Sequence, residues 1–272
     1  MGVTVGASRL GLGVLRRLPE SSRPLVRPGA VPAGIVHLGL GAFHRAHQAV
    51  YTEAAIAAAG GDWGIVGVAP RSTDMVTKLA AQDCLFSVTS TSGAGNRTQV
   101  VGALAEVRHA ASDPTAIVAL LADPAIRVVT LTVTEKAYQL DPATGRLQPN
   151  EAVLADLTTD RPPQTVPGLL VQGLLARAVA DAGPITLLTC DNLPSNGDRL
   201  HSMVGQALQV VGDAAGGRSE RIADWLRENV SFPARWWTGS CRRAPRRPWP
   251  TRRRRSGSVT WRRWPPSRTG SG

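Results

Sequence analysis

Short apolar runs alternate with longer stretches of helical period along most of the chain. The runs are rich in Val, Ile and Leu, and they have the length of buried parallel strands. Strands are predicted at residues 35–38, 65–69, 85–90, 97–107, 126–134 and 185–190. Helices are predicted at 46–59, 75–82, 114–123, 166–182, from 198 onward and around 217–230. This alternation predicts an α/β fold with a mostly parallel sheet.

Three segments with different composition divide the chain. Residues 1–32 contain four prolines and are predicted to form a loosely docked leader. Residues 33–235 hold all the predicted strands and are expected to form one α/β domain, in which the proline-rich stretch 141–163 is a long irregular excursion. Residues 236–272 form a tail rich in Arg, Trp and Pro.

The net charge of +11 comes entirely from that tail. It contains eleven of the 31 basic residues and none of the 20 acidic ones, which leaves 20 of each sign in the first 235 residues. The tail has no periodic apolar face, so we expect it to be disordered as a polypeptide.

The remaining composition points to a cytoplasmic protein. No apolar run is as long as a membrane span, and the arginines of the N-terminus follow its apolar run instead of preceding it as in a secretory signal. Three scattered cysteines (Cys84, Cys190 and Cys241) lack the spacing of a metal site or a disulfide. His44 and His47 have no third ligand at a suitable spacing, so no metal site is predicted.

A glycine-rich turn, Gly39-Leu40-Gly41, follows the first predicted strand. A strand, a glycine turn and a helix N-terminus can bind a pyrophosphate, because glycine lets backbone N–H groups approach it closely. The dinucleotide fingerprint G-x-G-x-x-G is incomplete, since His44 stands at its last position. The spacing alone leaves nucleotide binding and an ordinary tight turn open.

Three polar residues follow predicted strands, where parallel sheets bind ligands. Asp74 could hold the adenosine ribose or cap a helix, and Arg71 beside it could tolerate a 2′-phosphate. Glu135 could accept hydrogen bonds from sugar hydroxyls or be a solvated loop residue. Asn192 could donate to a substrate oxygen that gains negative charge, or form an Asx-turn before Pro194.

The string GAFHRAHQ at 41–48 resembles the long-chain mannitol dehydrogenase family, which includes mannitol 2-dehydrogenases and fructuronate and tagaturonate reductases. Three further motifs follow in the order of that family: PRSTD at 70–74, TLTVTEKAY at 130–138 and LLTCDNLPSNG at 187–197. The resemblance covers roughly residues 33–235. It implies a Rossmann-like doubly wound sheet that binds NAD.

The resemblance also implies site residues. Its cofactor-binding candidates are Gly39, Gly41, Phe43, His44, Arg45 and Asp74. The aspartate would select NAD over NADP by repelling a 2′-phosphate. Asn192 corresponds to the asparagine that contacts the reacting oxygen, and Glu135 to the glutamate of TEGGY that lines the substrate channel. Here the motif reads TEKAY, so Lys136 and Ala137 replace two glycines.

The implied reaction transfers a hydride between NAD(H) and a polyol or hexuronate. In the resembling family the general base is a lysine in a KxxxxNxxH motif on a downstream helical domain. This chain contains only Lys78 and Lys136, and neither lies in such a motif. We therefore expect the helical catalytic domain to be missing and the chain to bind cofactor without turning over sugar.

The tail has two interpretations. Trp236–Arg242 can be back-translated with one added nucleotide to read MVDRIVP, which resembles the continuation of the family (MVDRITP) and predicts a frameshift. Alternatively, arginines could neutralise phosphates and tryptophans could stack on bases, as in a nucleic-acid-binding arm. Sequencing of the gene around codon 236 distinguishes the two.

Overall fold

A computed structural model of the protein describes residues 9–93, 95–191, 194–215 and 219–233. Six strands form one sheet, and every neighbouring pair in it is parallel. They are β1 (Ala33–Leu38), β2 (Gly64–Ala69), β5 (Leu104–His109), β6 (Val128–Leu131), β7 (Ile185–Thr189) and β8 (Val230–Ser231). The predicted mostly parallel α/β fold is confirmed.

The strand order is β5-β2-β1-β6-β7-β8. The chain builds outward from β1 to one edge of the sheet, then returns past β1 and builds outward to the other edge. This is the arrangement of a doubly wound dinucleotide fold, and its topological switch point lies between β1 and β6.

Seven α-helices are described beside the sheet. They are α1 (Ala49–Ala59), α2 (Thr73–Ala80), α3 (Pro114–Ala122), α4 (Glu151–Thr158), α5 (Val166–Val179), α6 (Asn196–Ala215) and α7 (Ser219–Asn229). Alternate residues of the strands face opposite layers. Val36 and Leu38 pack with α3, α5, α6 and α7 in one core, whereas Ile35 packs with α1 and α2 in the other.

The predicted strand at 97–107 is wrong, because two strands occupy this stretch. β4 (Gly95–Val101) pairs antiparallel with β3 (Phe86–Ser92) in a separate hairpin, and β5 joins the main sheet. The break falls at Gly102, whose N–H donates to Glu53 Oε2 at 3.1 Å. A Cβ at Gly102 would lie 2.9 Å from Pro28 Cγ, so the chain turns where only glycine fits.

The irregular excursion predicted at 141–163 contains the helix α4. Asn150 caps it by accepting from the Val153 N–H at 2.9 Å. Near its end the buried carboxylate of Asp156 accepts from the N–H groups of Gln164 and Thr165, at 3.0 and 2.8 Å, which fixes the approach to α5.

Residues 9–32 contact the domain more specifically than a loosely docked leader would. Two 3-10 turns, Leu12–Arg17 and Glu20–Ser22, form within them. The buried carboxylate of Glu53 on α1 accepts from the Leu25 N–H at 2.7 Å and the Val26 N–H at 3.4 Å. Burial raises the pKa of this carboxyl group, while the three N–H donors around it oppose that rise.

A buried arginine joins the elements at the amino edge of the sheet. All five N–H groups of Arg177 donate to backbone carbonyls, and its side chain is 1% exposed. The acceptors belong to Leu121, Asp123, Ala182, Gly183 and Pro184, at 2.8 to 3.2 Å. This single side chain therefore ties the ends of α3 and α5 to the segment that enters β7. Burial lowers the pKa of the guanidinium.

Candidate cofactor site

A cavity of about 390 Å³ opens at the carboxyl ends of β1, β2 and β6. It is lined by the glycine turn (39–41), the segment after β2 (69–72) and the segment after β6 (132–134). Ligands of doubly wound sheets bind at this switch point between β1 and β6. On the far side the lining continues to the polar side chains of Gln139, Asn150, Gln164 and Thr165.

The two glycines of the turn have different roles. Gly39 has φ +115°, and a Cβ there would lie 2.2 Å from the Thr132 carbonyl oxygen, so only glycine fits. Gly41 is exposed, and a Cβ there would meet no atom within 4 Å. The backbone at Gly41 therefore faces open space, which allows a pyrophosphate to approach it.

The helix behind the turn begins irregularly. Residues His44–Gln48 form a π-helical turn that continues into α1. The Arg45 N–H donates to the Gly41 carbonyl at 3.3 Å, and the Arg45 guanidinium donates to the Leu40 carbonyl. Burial lowers the pKa of this arginine. Arg45 thus closes the glycine turn from behind and does not line the cavity.

Two buried histidines stack directly behind the turn. The rings of His37 on β1 and His44 lie 3.7 Å apart, and both side chains are fully buried. Burial lowers the pKa of His37 well below its ordinary value and lowers the pKa of His44 to about 4. Both rings are therefore neutral at pH 7.

The hydrogen bonds around these rings form a series in which each group donates to the next. Gln48 Nε2 donates to Thr130 Oγ1 at 2.8 Å, so Gln48 Oε1, 3.2 Å from His44 Nδ1, must accept. His37 Nε2 must donate to the Gly39 carbonyl at 2.6 Å, which leaves His37 Nδ1 to accept from Thr130 Oγ1 at 2.7 Å. His44 thus donates to Gln48, Gln48 to Thr130, Thr130 to His37, and His37 to the Gly39 carbonyl.

The series ends on Gly39, the glycine with the positive φ. The Thr132 hydroxyl also donates to the Gly39 carbonyl, at 2.9 Å. At the other end, His44 Nε2 is buried without a partner among the described residues. Sequence reasoning missed His37, Gln48, Thr130 and Thr132. The available signal was a histidine at the centre of an apolar strand, because buried polar groups are seldom left without a structural or functional role.

Phe43 lies on the outer surface. It is 44% exposed and stacks on His47, with ring centroids 4.8 Å apart; His47 in turn contacts Tyr51 at the same distance. Among the predicted cofactor contacts, Gly39 and Gly41 line the cavity, whereas Phe43, His44 and Arg45 do not.

Asp74 also lies outside the lining of the cavity. Its carboxylate pairs with Lys78 Nζ at 2.7 Å, and both side chains are 64% exposed. The polar residues after β2 that do line the cavity are Arg71 and Ser72. The Arg71 carbonyl is fixed from the end of β5, where His109 Nε2 donates to it at 3.0 Å.

Glu135 begins a 3-10 turn, Glu135–Tyr138, which follows the three residues 132–134 after the end of β6. Its side chain is half exposed and lies 3.9 Å from a guanidinium nitrogen of Arg199 on α6. Tyr138 closes the turn and is buried, and its hydroxyl contacts Asp191 Oδ2 at 2.5 Å and Thr189 Oγ1 at 2.7 Å. Burial raises the pKa of both Tyr138 and Asp191.

Asn192 lies outside the described residues, as do Leu193 and the tail. The residues on either side of it are held in place. Asp191 bonds to Tyr138, and Asn196 Nδ2 donates to the carbonyls of Thr189 and Asp191 at 3.3 and 3.1 Å. The TEKAY and DNLPSNG motifs are therefore in direct contact at the carboxyl edge of the sheet.

Among the described residues, no group of three or more His, Cys, Asp or Glu side chains could hold a metal ion. Within the same residues, no helix has the length and apolar character needed to cross a membrane.

Comparison with known proteins agrees with this geometry. Residues 33–236 match the family model described as the mannitol dehydrogenase Rossmann domain. The chain is 41% identical over 203 residues to an uncharacterized oxidoreductase, YeiQ, of Escherichia coli strain K12, covering 73% of this chain and 40% of that protein. It is 40% identical over 226 residues to the polyol:NADP oxidoreductase of Gluconobacter oxydans strain 621H, covering 80% of this chain and 45% of that one.

A solved structure shares the fold. It is the ternary complex of Pseudomonas fluorescens mannitol 2-dehydrogenase with NAD and D-mannitol, with a TM-score of 0.74 and 32% identity. The match covers 83% of this chain and 46% of that one. The chain spans less than half the length of each of these three relatives. By its family-model match and its fold, the chain belongs to the mannitol dehydrogenase family, and the part described corresponds to the Rossmann domain of that family.

Proposed function

We propose that this chain binds NAD(H) at the switch-point cavity, as the cofactor domain of an oxidoreductase acting on a polyol or hexuronate of the mannitol/fructose or mannonate/fructuronate type. The observation that carries the proposal is that Gly41 lines the cavity and its backbone is not covered by any side chain of the described residues. When bound, NAD(H) supplies the group that accepts or donates the hydride. The structure of the P. fluorescens relative in complex with NAD and D-mannitol supports the same assignment.

The residues present fit a dinucleotide. The Arg45 N–H bonds back to the Gly41 carbonyl, so the helix begins at the glycine turn, and the N-terminus of a helix is favourable for an anion. Gly39 allows the sharp turn that precedes it, and His37 and Thr132 both donate to its carbonyl, which fixes the turn. The chain thus offers a preorganised pyrophosphate site that needs no cationic side chain.

The substrate side of the site rests on Asn192 and Glu135. In this proposal Asn192 donates to the reacting oxygen and Glu135 lines the substrate channel. Its neighbours in sequence, Asp191 and Asn196, are held by hydrogen bonds at the carboxyl edge of the sheet. Asp74 remains the proposed ribose contact.

We propose that the chain as it stands does not turn over sugar. Lys78 is engaged by Asp74, and Lys136 is an exposed residue of a 3-10 turn. Neither belongs to a KxxxxNxxH motif. A general base contributes about 10² to 10⁴-fold to such a reaction. Turnover of mannitol or fructuronate at about 1 s⁻¹ or faster would contradict this part of the proposal.

Titration of the full chain with NADH, followed by nicotinamide fluorescence, tests the binding proposal. Saturable binding with a dissociation constant below the millimolar range is expected. The absence of a saturable signal up to millimolar NADH would overturn the proposal. A denatured sample of the same chain provides the baseline for non-specific signal.

A further inference from the structure

A tyrosine and an aspartate meet where β6 and β7 leave the sheet. The Tyr138 hydroxyl donates to Asp191 Oδ2 at 2.5 Å, and the Thr189 hydroxyl donates to the same oxygen at 3.0 Å. The Val133 N–H also donates to this carboxylate. The Tyr138 side chain is buried, and Asp191 is partly buried beside it. The carboxylate is therefore held by three donors at the carboxyl edge of the sheet.

This carboxylate is a negative charge without a basic partner among the described residues. Burial raises the pKa of Asp191, but the three donors oppose that rise because they bind the ionised form better. Burial and the charge of Asp191 raise the pKa of Tyr138, so the tyrosine keeps its proton. The neighbouring charges of Glu135 and Arg199 face each other at 3.9 Å. We expect Tyr138 and Asp191 together to carry one negative charge at pH 8.

The two residues belong to the half of the sheet that is expected to bind nicotinamide. Doubly wound sheets consist of two mononucleotide-binding halves, and the half that contains β2 binds the adenosine. In this chain the other half is formed by β6, β7 and β8. Val133, whose N–H donates to Asp191, lines the cavity, and so does Ala137, which precedes Tyr138. The carboxylate therefore lies directly behind cavity-lining residues on that side.

We propose that Asp191, held by Tyr138, favours the oxidised cofactor, so that its charge strengthens the binding of NAD⁺ relative to NADH. The nicotinamide ring is positively charged in NAD⁺ and neutral in NADH. A carboxylate that is partly shielded from water attracts the first ring and not the second. This inference rests on the proposed function, because it concerns the nicotinamide end of the same cofactor cavity.

The side chains that line the cavity do not make this distinction. Among the described residues in the lining, the charged one is Arg71, which follows β2 on the adenosine half. The polar side chains on the far side of the cavity are all uncharged. Asp191 thus has both the position and the sign of charge that distinguish the two redox states.

Displacement titrations of the full chain at pH 8 test the inference. The chain is loaded with NADH and titrated with NAD⁺ or with ADP-ribose, which has the same adenosine and pyrophosphate but no nicotinamide ring. The decrease in nicotinamide fluorescence gives the dissociation constants of all three ligands. Asp191→Asn removes the charge at nearly the same side-chain size, and Tyr138→Phe removes one donor but keeps the charge.

Asp181→Asn is the matched control. It makes the same chemical change at the opposite edge of the sheet, in the segment between α5 and β7. Asp181 has φ +46°, a backbone conformation that asparagine tolerates well. Circular dichroism confirms that each variant is folded. If Asp191→Asn does not fold, Asp191→Ser takes its place with the same expected result.

The expected result is a selective loss. Asp191→Asn should weaken NAD⁺ binding about three- to tenfold more than NADH binding, as for a charge pair separated by several ångströms near a protein surface. The affinity for ADP-ribose should follow that for NADH within about twofold. Tyr138→Phe should keep the ratio of the NAD⁺ and NADH dissociation constants within about twofold of its starting value, because the charge remains. Asp181→Asn should change none of the three affinities.

Three other outcomes would contradict the inference. Equal weakening of NAD⁺, NADH and ADP-ribose by Asp191→Asn would show a purely structural role and would leave the proposed function standing. The same loss of NAD⁺ preference in Tyr138→Phe as in Asp191→Asn would assign the effect to geometry and not to charge. Saturable binding of none of the three ligands to the unmodified chain would overturn both proposals.

Discussion

Polar groups are bonded differently at the two ends of the strands in the six-stranded sheet, which form its amino edge and its carboxyl edge. At the amino edge every donor of Arg177 has an acceptor, and the backbones pack so closely that a Cβ at Gly34 would lie 2.0 Å from the Asp62 carbonyl oxygen. At the carboxyl edge a cavity opens, Gly39 has a positive φ and His44 Nε2 has no partner among the described residues. The fully bonded arginine lies at the first edge, and the proposed cofactor site lies at the second.

Physical reasons lie behind this separation. A binding site must leave groups unpaired or strained so that a ligand can use them, and the rest of the domain must compensate for that cost. In this chain the helix ends and the strand entries at the amino edge provide the compensation. Substitutions at the two edges should therefore have different effects.

The largest effect is expected from Arg177→Met. The substitution removes all five side-chain donors to these backbone carbonyls, including the buried Leu121 carbonyl, and should lower the free energy of unfolding by about 3 to 5 kcal/mol. Urea denaturation followed by circular dichroism measures it. Arg127→Met is the matched control at the same edge, because Arg127 is exposed and makes one hydrogen bond to Asp62 and a contact with the Trp63 ring. Equal losses for the two variants would show that Arg177 has no special role.

The next effect concerns pH at the carboxyl edge. The pKa of His44 is lowered from 6.5 to about 4 in the folded chain, so the unfolded chain binds the proton more readily between those values. Stability should be complete above pH 6.5 and should fall by roughly 2 to 3 kcal/mol as the pH decreases to 4. The buried neutral His37 acts in the same direction.

His44→Phe removes one titrating ring and should flatten this pH dependence, as urea denaturation at several pH values can measure. If the variant and the parent lose stability equally between pH 6.5 and 4, His44 is not the responsible group.

The smallest effect on stability, with a specific effect on binding, is expected from Gly41→Ala. The new methyl meets no protein atom within 4 Å, so the fold should be unaffected. It would project where the pyrophosphate is proposed to bind and should weaken NADH binding about tenfold, or about 1.4 kcal/mol. Gly205→Ala in α6 is the control, because its methyl also meets no protein atom within 4 Å. Unchanged NADH affinity in Gly41→Ala would place the pyrophosphate elsewhere.

Much of the fold could be predicted from local pattern. The apolar runs at 35–38, 65–69 and 126–134 predicted the central strands β1, β2 and β6, the last of them longer than observed, and Gly39 and Gly41 predicted the turn after β1. Such features depend on residues that are close together in sequence, so periodicity and turn chemistry are sufficient to find them. The family prediction was confirmed by the match over residues 33–236.

What could not be predicted depends on distant partners. The break at Gly102 depends on Glu53 and Pro28, and the role of His37 depends on Thr130, which is 93 residues away. The pairing of Asp74 with Lys78 is different: it joins two residues four apart on one helix, so it was a local signal that the sequence analysis did not use. The assigned site residues remain predictions, and Asn192 and the tail lie outside the described residues.

The hydrogen-bond chain behind the glycine turn has a consequence for the evolution of the sequence. Because every hydrogen bond in this series has a fixed direction, each residue must donate at one atom and accept at another. Glutamate in place of Gln48 would have no N–H for Thr130, and valine in place of Thr130 would leave His37 Nδ1 without a donor. Replacing one of these residues alone is therefore expected to lower the stability of the fold, even where replacing several of them together would leave it unchanged. We expect residues 37, 44, 48 and 130 to change together across descendants of this chain, and rarely one at a time.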